Sequence, residues 1–133
     1  MTLSKDRFEE AQDYLELLGR CDTEDVRKAF VFLHLGFSRL GDLQAEVGRH
    51  GVMKSLRFYD QGAWCFAFAP ARQWVKAWVR PPEYRKGLLQ LSDLTMLLPH
   101  ASDRGDDHFV VRLYGQDEAK AFYDVITASR LKQ

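Results

Sequence analysis

The sequence predicts an α+β protein with two or three N-terminal helices, a four- or five-stranded antiparallel meander, and a C-terminal helix packed on the sheet. Three observations carry this. Apolar residues recur every three to four positions over roughly the first fifty residues. From Val52 the period drops to two, with turn residues at regular intervals. After Gln116 the helical period returns. With 133 residues, 46% hydrophobic and 29% charged, the chain has the size and composition of a single α+β domain, 1–50 helical and 51–133 sheet plus closing helix. Such a chain buries about two-thirds of its unfolded surface and needs no metal or disulfide to fold.

The elements follow in order. Ser4 is a candidate N-cap for a helix over 4–19, in which Phe8, Ala11, Leu15 and Leu18 form a stripe beside Tyr14 and Leu17. Thr23, followed by Glu24 and Asp25, starts a second helix carrying Val26, Ala29, Phe30, Leu33 and Phe37. Phe32 and Leu35 make this helix apolar on nearly every side, which predicts that it is sandwiched in the fold or lies between two copies of the chain. Leu40, Leu43 and Val47 extend the helical spacing to a stop at Gly48 and Gly51.

In the sheet, Leu56 and Phe58 alternate with Arg57 and Tyr59, Asp60-Gln61-Gly62 turns the chain, and Trp64, Phe66 and Phe68 alternate with Cys65, Ala67 and Ala69. Residues 73–80 read as a third strand stopped by Pro81-Pro82, although Trp74 and Trp78 lie four apart and Pro70 is able to open a helix. Residues 88–98 fit one bent strand, two short strands, or a helix capped by Ser92. Residues 99–108 read as a loop. Phe109, Val111 and Leu113 then alternate against Val110, Arg112 and Tyr114, and Gln116 or Asp117 opens the closing helix of Ala119, Phe122, Val125, Ile126 and Ser129.

Nineteen basic and nineteen acidic residues cancel, which removes the uniformly basic signature of a duplex-binding protein. The total hides an asymmetry. Residues 1–25 hold three basic and eight acidic residues, whereas 49–86 hold eight basic and two acidic. In a strand over 73–80, Trp74, Lys76, Trp78 and Arg80 share one face, and with Arg57 and Tyr59 they form a candidate surface for single-stranded nucleic acid or a protein partner. The opposing reading places the Trp rings in the core with Lys and Arg stems laid over apolar surface. The acidic first helix and the basic sheet also predict a complementary contact with a partner or a second copy.

His100, Asp103, Asp106, Asp107 and His108 concentrate metal-ligand and acid–base types in one segment, but their spacing matches neither zinc nor calcium patterns, and a solvated loop with turn-capping aspartates is the expectation. His34 is expected to be a buried or interface imidazole, and His50 to help end a helix. Cys21 and Cys65 show no CxxC spacing and are expected to be free thiols. P-loop, GxGxxG, GxSxG and HExxH patterns do not occur.

The run Leu89-Gln90-Leu91-Ser92-Asp93-Leu94, then Phe109-Val110-Val111-Arg112-Leu113, then the helix from Ala119 to Ala128, resembles small α+β modules in which an antiparallel sheet leads to a closing helix, pleckstrin-homology-like domains among them. The resemblance spans 51–131, leaves the N-terminal helices without a counterpart, and transfers no ligand residue. The expected function is protein–protein binding by a small regulatory protein with no cofactor, as a homodimer through Phe30, Phe32, Leu33 and Phe37. Nucleic-acid binding is the alternative, and a metal-assisted enzyme built on 100–108 the second alternative. No signal-peptide pattern or apolar run of about 20 residues occurs, so a cytoplasmic protein is expected.

Overall fold

The computed structural model describes residues 7–41, 43–50, 53–86, 89–96, 98, 100–103 and 109–131. Two helices come first, α1 (Arg7–Gly19) and α2 (Glu24–Ser38). Four strands follow, β1 (Leu43–His50), β2 (Met53–Asp60), β3 (Ala63–Pro70) and β4 (Val75–Val79). Short helices α3 (Pro81–Lys86) and α4 (Leu91–Thr95) lead to β5 (Ala101–Asp103), β6 (Phe109–Leu113) and the closing helix α5 (Gln116–Leu131). The strand order is β1-β2-β3-β4-β6-β5 with every pairing antiparallel. The meander is therefore β1 to β4, and β6 returns to lie beside β4 with the three-residue β5 at the edge.

Local chemistry accounts for the boundaries. The Thr23 hydroxyl accepts the Val26 N–H at 3.2 Å and caps α2. Gln61 and Gly62 both take positive φ, 51° and 84°, the pair of left-handed residues that a tight two-residue hairpin requires. Pro81 and Pro82 stop β4 and also open α3, where a missing N–H costs nothing. The helix at 91–95 begins after Gln90, whose N–H donates to the Asp93 carboxylate at 2.8 Å, rather than at Ser92. Ser4 and Gly51 lie outside the described residues.

Two expectations are corrected. Leu40, Leu43 and Val47 do not form a third helix. Gly41 turns the chain at φ 55°, and Leu43, Ala45 and Val47 point to one side of β1, which pairs with β2 from Leu43 opposite Asp60 to His50 opposite Met53. Gly48 sits inside that strand opposite Ser55, and His50 ends a strand, not a helix. The sheet thus begins at Leu43, before Val52. The second correction concerns Trp64. The register shifts between Phe58 and Tyr59, so that Phe58 faces Phe66 while Tyr59 faces Trp64, and Cys65 is the extra residue of a β-bulge. The bulge puts Trp64 on the opposite face from Phe66 and Phe68.

One face of the sheet is covered by α1, α2 and α5. Leu56, Phe58, Phe66, Phe68, Val75, Ala77, Val79, Val111 and Leu113 supply its side of the core. Phe37 of α2 is the hub, with ring centroids 4.9 Å from Phe68, 5.0 Å from Phe66, 5.7 Å from Phe58 and 5.9 Å from Phe122 of α5. The apolar excess of α2 is absorbed within one chain: sheet beneath, Tyr14 of α1 against Phe30, and Tyr123 of α5 against Phe32. Gly36 lets α5 approach, since a Cβ there would stand 3.1 Å from the Tyr123 ring.

Two polar clamps tie the helices down. Lys54 of β2 reaches up to Asp13 at 2.8 Å and to Glu16 of α1. Arg130 of α5 forks onto both oxygens of the fully buried Glu83, at 2.7 and 3.1 Å, with Asp60 at 3.5 Å. A buried carboxylate without that guanidinium would be strongly disfavoured.

Candidate functional site

Among the described residues, no helix lies over the opposite face of the sheet. Along it, Ser55, Arg57 and Tyr59 of β2 lie beside Trp64, Ala67 and Ala69 of β3, then Lys76 and Trp78 of β4, then Val110 and Arg112 of β6. Trp74 and Arg80 flank β4 at its two ends, and Tyr114 follows β6. Strands about 4.8 Å apart make the row from β2 to β6 about 14 Å wide.

The aromatic rings and the cations on this face are stacked on one another. The Arg57 guanidinium lies 3.5 Å from the Trp64 ring centroid and that of Arg80 lies 4.0 Å from it, one reaching from β2 and the other from the end of β4. The Trp64 indole N–H donates to the Phe66 carbonyl at 3.0 Å, which fixes the ring. Lys76 lies 4.9 Å from Trp78, and Arg112 4.8 Å from Trp74. Tyr114 continues the row, 5.5 Å from Trp74 and 4.7 Å from the exposed His100. Such contacts are worth about 0.5–1 kcal/mol each at exposed positions and hold the side chains in place. Glu46, in register with Arg57, is the acidic residue at the described strand positions of this face.

The six residues expected to share a surface, Arg57, Tyr59, Trp74, Lys76, Trp78 and Arg80, all lie on this face, and the three Trp rings are half-buried. Sequence reasoning missed Trp64 because a bulge leaves no clear mark in an alternating pattern. It missed Arg112 and Tyr114 because nothing local says that β6 inserts beside β4, although their alternation against Phe109, Val111 and Leu113 was legible.

A cleft of about 180 Å³ opens at the centre, lined by Met53, Ser55, Arg57, Trp64, Ala67 and Trp78. The Arg57 Nε is buried and has no hydrogen-bond partner among the described residues.

The other candidates fall elsewhere. Phe30, Leu33 and Phe37, expected at a dimer interface, are fully buried in the chain's own core, because the sheet and α5 already cover them; Phe32 is half-buried against Tyr123. The acidic first helix does meet a basic strand, but in its own chain: Lys54 occupies Asp13 and Glu16. Those ion pairs hold the Glu16 carboxyl below its ordinary range and the Lys54 ammonium above its own, mainly through the hydrogen bonds between them.

Of the segment 99–108, residues 99 and 104–108 lie outside the described residues, which takes Asp106, Asp107 and His108 out of reach; His100 stacks beside Tyr114 and Ala101–Asp103 pairs with β6. Among the described residues, no three His, Cys, Asp or Glu side chains come together as a metal site. Cys21 and Cys65 form no disulfide and are buried, and burial pushes the Cys21 thiol up. His34 packs 4.7 Å from Tyr14, where burial lowers the imidazole and pushes the Tyr14 phenol up to about 12. Among the described residues, no helix is long and apolar enough to cross a membrane.

No protein-family model, no curated protein and no solved structure matches this chain.

Proposed function

We propose that this chain is a protein-binding module whose open sheet face receives an acidic surface of a partner protein. The observation that carries the reading is the capping of each Trp ring by the chain's own cations: Arg57 and Arg80 on Trp64, Lys76 on Trp78, Arg112 on Trp74. Binding of single-stranded nucleic acid relies on ring faces open to incoming bases. Here each ring already carries a cation of its own chain, and the surface offers beside the rings the polar edges of guanidinium groups, which suit carboxylates. Trp, Tyr and Arg are also the residue types that dominate protein interfaces energetically, with small residues such as Ala67 and Ala69 between them. A zero net charge fits a local complementary contact better than steering to a polyanion. Two copies pairing through this face would set cations against cations, so the occupant is a different protein.

The test places a photo-cross-linking amino acid at Met53 or Tyr114 on the open face and, separately, at Leu35 or Leu131 on the helical side. The expected result is a protein adduct from the open-face positions, joined through an Asp/Glu-rich segment and abolished by Lys76→Glu with Arg112→Glu. Adducts from the helical side alone, no adduct, or an adduct to nucleic acid would overturn the reading.

A further inference from the structure

We infer that the cleft between Trp64 and Trp78 is a subsite for one acidic side chain, an aspartate or glutamate of the partner; this rests on the docking role proposed for the open face. The cleft, about 180 Å³, is large enough for one such side chain and too small for a folded segment. Its walls are mostly apolar, Met53, the two indoles and the methyl of Ala67, with Ser55 and Arg57 as the polar members. A carboxylate entering it leaves water, and needs a fixed cation with an unpartnered donor to offset that loss.

Arg57 meets the requirement. Its guanidinium is laid against Trp64 at 3.5 Å from the ring centroid, so its plane is set by the indole before any ligand arrives. Its Nε is buried without a hydrogen-bond partner among the described residues, a donor left idle at a cost unless something accepts from it. A carboxylate lying edge-on to the guanidinium uses Nε–H together with a terminal N–H as a two-pronged pair, an arrangement that a lysine ammonium at this position cannot reproduce. Arg80, on the same ring at 4.0 Å, adds positive potential without lining the cleft.

The probe is the blocked tripeptide acetyl-Gly-Glu-Gly-amide, with acetyl-Gly-Gln-Gly-amide as its uncharged counterpart, titrated into the whole chain. The readout is the NMR signals of the Arg57 Nε–H and the Trp64 and Trp78 indole N–H groups. The expected result is a saturable shift of all three with the Glu peptide and none with the Gln peptide, and about tenfold weaker binding in Arg57→Lys, the loss of one charge-assisted hydrogen bond.

Shifts spread over Trp74 and Arg112 with Arg57 unmoved, equal shifts from both peptides, or unchanged affinity in Arg57→Lys would overturn the subsite. Because the titration is read on the unsubstituted chain, the result does not depend on the variant folding. An acid-specific cross-link from the open face alongside a silent Arg57 would sink the subsite and keep the docking face, whereas loss of both would sink the two together.

Discussion

On the covered side of the sheet, Phe58, Phe66 and Phe68 are wholly buried under α2 and α5, while Arg57 and Ala67 beside them, and Trp64 across the bulge, belong to the open side of the same strands. The covered side is held by volume: aromatic rings meet at 4.9–6.0 Å around Phe37 and Phe122, and little polarity enters except at the two clamps. The open side is held by pairs of unlike groups, each cation resting on a ring at 3.5–4.9 Å. Removing a group from the first leaves a cavity that the surroundings fill only in part. Removing one from the second frees a neighbour that water can reach. One side is therefore held by close packing, and the other by cations laid on rings.

The largest effect expected from this contrast is that of Phe37→Ala, which removes the ring touching five others and should destabilise the fold by about 3–5 kcal/mol. Trp78→Ala, an aromatic deletion on the open side, should cost only about 1 kcal/mol, the scale of a partly exposed cation–ring contact. Urea unfolding of both variants checks the contrast, and equal losses would break it.

A smaller effect is expected where α2 meets α5. Asp25 of α2 accepts the Gln116 N–H at 3.2 Å and so caps the start of α5, and a Cβ at Gly115 would overlap the Asp25 carboxylate. Gly115→Ala and Asp25→Ala should each cost about 1 kcal/mol, the usual value of a lost cap. The double variant should cost clearly less than their sum, because both disturb one contact. Additive losses in thermal unfolding would show that Asp25 does not act there.

The smallest effect concerns Lys54 and pH. The Glu16 carboxyl is depressed below its ordinary value of 4.5, so its contribution is complete above 4.5 and fades as pH falls through the lower folded value. The Lys54 ammonium is raised above 10.5, so its contribution is complete below 10.5 and fades as pH rises through the higher folded value. Lys54→Met should therefore lower stability over the range between, and should flatten both limbs of the stability–pH curve. A variant curve parallel to that of the natural chain would remove the clamp from the account.

Much of the architecture was legible. The helical stripes of α2 and α5 and the hairpin of β2 and β3 follow from spacing and from the Thr23 and Gln61-Gly62 signals, because these are short-range effects of backbone geometry. The stripe expected on α1 is corrected: Phe8, Ala11 and Leu15 face solvent, and α1 instead buries Leu17, with Tyr14 and Leu18 partly buried against the core. β1 was not legible, since Leu40, Leu43 and Val47 suit a helix while Leu43, Ala45 and Val47 suit a strand, and only pairing with β2 decides between them. The α2 residues Phe30, Leu33 and Phe37 read as surplus for one chain because the sequence does not show that α1, α5 and the sheet all converge on α2.

The sequence by itself determined the amphipathic faces of α2 and α5, the β2–β3 turn and the charge imbalance between the first helix and the sheet, because each depends on residues a few positions apart. Tertiary structure alone decided three things: that Lys54 spends its charge on α1, that a bulge at Cys65 turns Trp64 to the open side, and that β6 brings Arg112 and Tyr114 beside Trp74. Each joins residues distant in the chain, or shifts a register by one, and a strand's two sides exchange with every such step.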